Sequence, residues 1–200
     1  MTELILRQLG QQAYQPIIQN MIDLVSAKDF IEQIWFLSHP PVYTLGTAAN
    51  RDHILNPKDI KIIQTDRGGE VTYHGPGQLV IYFLLDVKKR NLGPRKLVEM
   101  LEQYLLSLLS KYNIVGNLVC GSPGVYVDNA KIASIGLRIK KGRSYHGISL
   151  NVDMDLSPFY GINPCGYEGL QVTQLKDLNP LADIKNVESD AIELAKKVFG

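Results

Sequence analysis

The segment that most restricts the fold of this chain is Leu79-Val80-Ile81-Tyr82-Phe83-Leu84-Leu85. It is a near-continuous apolar run, too short to cross a bilayer. A run of this kind is expected for a central strand buried on both faces. The sequence must therefore supply elements to cover both sides of a sheet. Tyr14–Ala27 has helical spacing, with apolar residues at Ile17, Ile18, Met21, Ile22 and Val25. A second helix starts at Pro94, a residue suited to a first turn, and carries Leu97, Met100, Leu101, Tyr104, Leu105 and Leu108 on one stripe. Lys111 falls near its C-terminus, where a cation complements the helix dipole. A third helix is expected over Val187–Val198, with Ala191, Leu194, Ala195 and Val198 inward.

Further strands are expected at Leu4–Leu9, at Ile34–Leu37 and Val42–Leu45 around the His39-Pro40-Pro41 break, and at Ile60–Gln64. Val125–Val127, Ile132–Ile139 and Ile148–Val152 read as a meander, with Asp128-Asn129 as the first hairpin turn. Strands and helices mix without strict alternation, so the expected class is α+β, or mixed α/β, rather than a doubly wound nucleotide fold. No linker, repeat or low-complexity stretch divides the chain, so one domain spanning residues 1–200 is expected.

Net charge is +1, which gives no global field to recruit nucleic acid or an anionic membrane. Two local basic clusters stand out, Lys88-Lys89-Arg90 and the Arg138, Lys140, Lys141, Arg143 group. They read either as solvated faces or as docking sites for an acidic protein. Two cysteines, Cys120 and Cys165, without a CxxC argue against a disulfide scaffold or a structural zinc site. The histidines show no metal-ligand spacing, so no metal is expected. Residues Met1–Arg7 lack a basic region followed by a long apolar run, so a cytoplasmic location is expected.

Two residues are the candidates for the chemistry, each with a plain structural alternative: Lys131 as a lysine that begins its strand and snorkels to water, and Cys165 as a small buried or partly exposed packing residue. Cys165 lies in Asn163-Pro164-Cys165-Gly166, where Pro164 fixes φ and Gly166 permits unusual geometry, a turn able to hold a thiol at a cleft. A free thiol titrates at roughly 8.5 and needs a nearby base or cation to become nucleophilic at neutral pH. Lys131 could be either. Strict alternation along Lys131–Lys140 puts Lys131 on the face of Ala133, Ile135, Leu137 and Ile139. Loss of hydration there disfavours the charged form of an amine. A bulge, for which Gly136 is the candidate, would undo that placement. Cys120 is a rival nucleophile, with a packing or loop role more in keeping with its apolar neighbours.

The stretch Arg67-Gly-Gly-Glu-Val-Thr-Tyr-His-Gly-Pro-Gly-Gln78 holds four glycines. It is neither a Walker loop nor a Rossmann fingerprint. It can be a tight hairpin or a ligand-lining loop, and Tyr73 and His74 would suit a pocket wall. In His146-Gly-Ile-Ser-Leu-Asn-Val152, Gly147, Ser149 and Asn151 share a face with room for a bound chain or another strand.

Together with Pro123-Gly-Val-Tyr-Val127, Lys131-Ile-Ala-Ser-Ile-Gly136 and Asp155-Leu-Ser-Pro-Phe159, these segments resemble the lipoyl(octanoyl) transferase family of lipoate biosynthesis. The resemblance implies the mixed sheets with flanking helices of biotin and lipoate protein ligases. It implies transfer of an octanoyl group from octanoyl-acyl carrier protein to a lysine of lipoyl domains, without ATP or another cofactor. The acceptors it implies are the E2 subunits of 2-oxoacid dehydrogenases and the glycine cleavage H protein. Carried onto this sequence, Cys165 is the acyl-thioester nucleophile and Lys131 activates it and shuttles protons. Arg67, Gly68, Gly69, Glu70, Val71, Thr72, Tyr73 and His74 line the acyl site, with Ser134, Ile135, Gly136, Gly147, Ile148 and Ser149. The alternatives are an ATP-dependent ligase of the same fold, which needs no thiol, and a non-catalytic lipoyl-domain or carrier-protein binding module. A cysteine hydrolase lacks a Cys-His-Asn layout here.

Overall fold

In the computed structural model, which describes residues 4–200, the apolar run becomes β6 (Gln78–Leu84), buried at every position. Its neighbours are β2 (Glu32–Ser38) and β10 (Arg143–Asn151), both antiparallel to it. Beyond β2 lies β1 (Leu4–Gln11). Beyond β10 the sheet continues through β9 (Ala130–Lys140), β8 (Ser122–Val127) and the short edge strand β7 (Asn117–Val119). β1 and β2 are parallel because α1 (Tyr14–Ser26) crosses between them. Leu4–Arg7 belongs to β1, whereas residues 1–3 of the segment judged for a leader lie outside the described residues. Among the described residues, no helix is long and apolar enough to cross a membrane.

Both faces of β6 are covered. Leu79, Ile81 and Phe83 meet α2 (Pro94–Ser110) and, beyond the one-turn α3 (Leu175–Leu178), α4 (Ile184–Phe199) in the main core, together with Leu97, Leu101, Leu105, Val187 and Ala191. Val80, Tyr82 and Leu84 point the other way, towards Ile17, Met21 and Val25 of α1. Lys111 caps α2 as expected and reaches Asp190 on α4 at 2.8 Å. The third helix departs from its expected register at the end. Val198 is exposed, and Phe199 instead completes the i, i+4 row Val187–Ala191–Ala195, packing against Phe83 and Tyr104.

The meander forms with a tight turn at Asp128-Asn129, whose φ angles of 46° and 70° suit a type I′ hairpin. The strict alternation assumed for β9 does not hold. Val125 faces Ala133 but Tyr126 faces Lys131, so Ile132 is an inserted residue and the bulge sits there rather than at Gly136. Ile132 and Ala133 both enter the main core with Val125 and Val127. Lys131, opposite Tyr126, is thereby turned to the other face. Its backbone is held by a segment from further down the chain. Lys131 N–H donates to the Gln171 carbonyl (2.8 Å) and Thr173 N–H donates to the Lys131 carbonyl (3.0 Å).

A second sheet, β4 (Lys61–Gln64), β3 (Val42–Leu45) and β5 (Val71–His74), covers this other face near the meander. The His39-Pro40-Pro41 break lets the chain leave β2 in the large sheet and enter β3 in the small one. Tyr43, Leu45, Val71 and Tyr73 pack there against Met154, Phe159 and Ile162. Gly77, at φ 82°, joins the layers: it leads into β6, and its carbonyl accepts from the Val152 and Asp153 amides. A Cβ at this position would overlap the Asp153 carbonyl.

Candidate active site

Cys165 occupies a one-turn 3₁₀ segment, Pro164–Gly166, that follows Ile162 of the small-sheet core. Its φ of 57° is left-handed, a conformation that costs a non-glycine residue on the order of 1 kcal/mol. Neighbouring bonds impose it. Asn163 N–H donates to the His53 carbonyl (2.8 Å), Gly166 N–H to Asn163 (3.1 Å) and Tyr167 N–H to Pro164 (3.1 Å). The turn leaves the thiol half-buried at the wall of a cavity of about 510 Å³.

Lys131 reaches the same wall from β9. Its Nζ lies 3.0 Å from Cys165 Sγ. A second donor contact goes to Ser122 Oγ at 3.4 Å, and that hydroxyl meets Tyr126 OH at 2.5 Å. The ammonium also lies 5.2 Å from the centroid of the Tyr126 ring. Lys131 is only 3% exposed, so its charge is met by sulfur, hydroxyl and ring rather than by water. No carboxylate pairs with it among the described residues. Cys120 is exposed, on the turn between β7 and β8, which fits a loop role.

The glycine-rich stretch forms one side of the cavity. Gly68 N–H donates to the Leu137 carbonyl (2.9 Å), which pins the loop across β9 where β8 has ended. Arg67 borders the cavity, as expected, and also holds the loop in place. Its guanidinium donates to the Thr44 carbonyl (2.7 Å), Thr44 Oγ1 (2.9 Å), the Gly68 carbonyl (3.0 Å) and the Glu70 carbonyl (2.8 Å). Gly136 leaves the space that this loop fills, since a Cβ there would meet the Gly68 carbonyl oxygen at 3.1 Å and Arg67 Cδ at 3.3 Å. Gly69, Glu70, Val71, Thr72 and His74 border the cavity, as do Ser134, Ile135, Gly147, Ile148 and Ser149. Tyr73 is placed elsewhere: its ring packs edge-on against Phe159, 5.5 Å between centroids, inside the small-sheet core. Alternation along β5 turns it away while His74 faces in.

A buried hydrogen-bond chain backs the site. His74 Nδ1–H donates to Gln78 Oε1 (2.8 Å), and Gln78 Nε2 donates to Asn151 Oδ1 (3.0 Å). Asn151 Nδ2 then donates to the Thr173 carbonyl (2.9 Å), and the Thr173 amide holds Lys131. Desolvation pushes His74 down to about 3, so its ring is neutral at ordinary pH. His39 is pushed down to about 4 by burial, opposed by its bond to the Gln12 carbonyl (2.6 Å), and its Nε2 accepts from Tyr82 OH (2.7 Å). His146, in the left-handed region at φ 60°, donates from Nε2 to Asp66 (3.0 Å). That bond is the largest cause holding the Asp66 carboxyl down at about 2. Ser122, Tyr126, Gln171, Thr173 and Gln78 were not assigned roles by sequence, and Asn151, expected only to face a bound chain or another strand, instead links Gln78 to the Thr173 carbonyl. The available signal was polar side chains on strands otherwise composed for burial; the contacts of Gln171 and Thr173 are made by backbone and leave no such signal.

The architecture and this site define a domain of the lipoate-ligase type. A putative lipoate protein ligase from T. acidophilum superposes with a TM-score of 0.76 at 14% identity, covering 98% of this chain and 85% of that one. At that identity the likeness concerns the fold. Residues 3–194 match the lipoyl protein ligase A/B catalytic domain, and the chain belongs to that family. Within the family it is similar to octanoyltransferases. The chain is 50% identical to the octanoyltransferase of Legionella pneumophila (strain Lens) over 192 residues, 95% of this chain and 96% of that protein. It is 54% identical to that of Pseudomonas putida (strain W619) over 174 residues, 86% and 81% of the two chains. The protein is thus an enzyme of octanoyl transfer in lipoate synthesis, which sets aside the ligase and non-catalytic readings.

Proposed function

We propose that Cys165 and Lys131 are the catalytic pair of this transferase, within one catalytic domain formed by residues 1–200. The observation that carries the proposal is the 3.0 Å contact between Nζ and Sγ at the wall of the cavity. An ammonium that donates to sulfur holds a thiolate ready. In the first step the thiolate attacks the thioester carbonyl of octanoyl-acyl carrier protein. A new carbon–sulfur bond forms, the carrier thiol leaves, and it takes a proton from Lys131. One thioester replaces another, so the step has little thermodynamic cost. The acyl chain lies against the cavity residues around Ser134 and Ser149, under the loop held by Arg67.

In the second step the neutral amine of a lipoyl-domain lysine attacks the acyl-cysteine. Lys131, now neutral, accepts the amine proton, and the Cys165 thiolate leaves into the restored ammonium. The amide product draws the sequence forward, so ATP has no place in it. The proposed acceptors are the lipoyl domains of 2-oxoacid dehydrogenase E2 subunits and the glycine cleavage H protein, and the proposed location is the cytoplasm.

Intact mass after mixing with octanoyl-acyl carrier protein tests the pair. The wild-type enzyme should gain one octanoyl group, and Cys165→Ala should gain none. An unmodified wild-type protein under turnover conditions would sink the covalent mechanism.

A further inference from the structure

The two basic clusters, distant in sequence, meet at one end of the large sheet. Lys141 and Gly142, with φ of 52° and 79°, make the turn between β9 and β10. Lys88 N–H donates to the Gly142 carbonyl (3.1 Å), which brings the loop after β6 against the hairpin tip. Some of these cations are already engaged. Arg90 binds the Glu32 carboxylate at 2.7 Å, and Arg143 donates to the Val25 and Ala27 carbonyls and lies over the Phe30 ring. Lys89 reaches Asp86 at 3.8 Å. Lys88, Arg138, Lys140 and Lys141 are different: they are exposed and form no ion pair among the described residues.

This cationic end is continuous with the active-site cavity. Arg138 and Lys140 extend the alternating row of Ser134 and Gly136 along β9. Arg138 and Ile139 border the cavity that also contains Cys165, as do Pro94 and Val98 from the start of α2. The net charge of the whole chain is only +1, so the excess is local. Seven strand positions from Lys131 to Arg138, one of them taken up by the bulge, span about 20 Å at roughly 3.3 Å per residue.

We propose that this end of the molecule is the docking surface for the acyl donor, an acidic protein that presents its thioester on a long pantetheine-type arm. The proposal rests on the reading of Cys165 as the group that is acylated. The distance selects donor over acceptor. A lysine side chain on a protein docked at the hairpin tip is far too short to reach Cys165. A flexible arm threaded along the cavity spans that length. The unpaired cations steer and hold the acidic body of the donor while its arm delivers the thioester.

The test compares wild type with Lys88→Glu/Lys140→Glu/Lys141→Glu, all solvent-facing positions outside the proposed catalytic pair. Single-turnover loading of Cys165 is followed with octanoyl-acyl carrier protein and, separately, with octanoyl-pantetheine, which lacks a protein surface. Transfer from preloaded enzyme to a lipoyl domain is the third measurement, and the thermal midpoint controls for folding. Half-saturation by the carrier protein should rise tenfold or more, and the salt dependence of loading should flatten. Loading by octanoyl-pantetheine and transfer to the lipoyl domain should stay unchanged. Unchanged carrier loading would overturn the proposal, as would an equal loss with octanoyl-pantetheine. A loss confined to transfer would assign the surface to the acceptor and equally overturn it. Absence of acyl-Cys165 on wild type with both donors would bring down the nucleophile reading itself, a result separable from a docking defect.

Discussion

The two sides of the large sheet are built on opposite principles. Against α2 and α4 the interior is almost wholly hydrocarbon: Ile34, Phe36, Ile81, Phe83, Leu101, Leu105 and Leu150. Across the same strands, beneath the small sheet, the buried residues include Arg67, His39, His74, Gln78, Lys131, His146 and Asn151. The first side gains stability from area removed from water. The second must satisfy each polar group by a partner, and nearly all are satisfied; among the described residues, His146 Nδ1 is the buried side-chain atom without one. The contrast teaches that this fold separates what holds it together from what it does. One sheet face is a packing surface, and the other orients a thiol, an amine and the loop over them.

The sharpest way to break the comparison is to remove charge from the polar side. Lys131→Met keeps length and bulk but no proton carrier, and should lower octanoyl transfer about 10²- to 10⁴-fold with the fold retained. Steady-state turnover and circular dichroism together check this. If Lys131→Met retained near-wild-type turnover, the amine would have no catalytic part. The matching change on the apolar side is Leu101→Ala, at a fully buried position. It should cost about 2–5 kcal/mol in denaturant unfolding, while turnover per folded molecule stays close to wild type. A drop in kcat equal to that of Lys131→Met would erase the separation between the faces.

Asn151→Ala tests the link between them, because it removes the step from Gln78 to Thr173 and so loosens the backbone support of Lys131. A stability loss of about 1–3 kcal/mol is expected, with kcat falling more than KM rises. An effect on stability alone would make Asn151 a packing residue. The smallest effect is in the pH dependence. His39 and His74 have folded-state values lowered to about 4 and about 3. In the unfolded chain they titrate near 6.5, so the unfolded state takes up protons first. Their contribution to stability is present in full above about 6.5 and is lost as pH falls towards those lower values. Thermal midpoints between pH 7 and 4 should therefore decline, and His39→Gln should flatten the slope.

Much of the architecture was legible along the chain. β6 announced burial on both faces by lacking any polar alternation, and α1 and α2 by their apolar stripes. Asp128-Asn129 announced a hairpin because these two residue types tolerate left-handed backbone. The active-site residues were legible as types and as blocks of a family. Their arrangement was less so. Alternation alone put Lys131 on the wrong face, and Tyr73 was grouped with cavity residues although its ring packs behind them. The register of a helix end was also missed at Val198, because Phe199 offers a larger surface to the same core.

Local sequence determined which segments are strands and helices, since periodicity and turn chemistry act over a few residues. It also determined that a reactive thiol and an amine were present. The tertiary structure alone decided that they meet. Lys131 turns towards Cys165 because a bulge at Ile132 is stabilised by the distant backbone of Gln171 and Thr173. The thiol is aimed by a left-handed turn tied to His53. Neither contact leaves a trace in side-chain pattern, because backbone amides and carbonyls are the same in every residue that makes them.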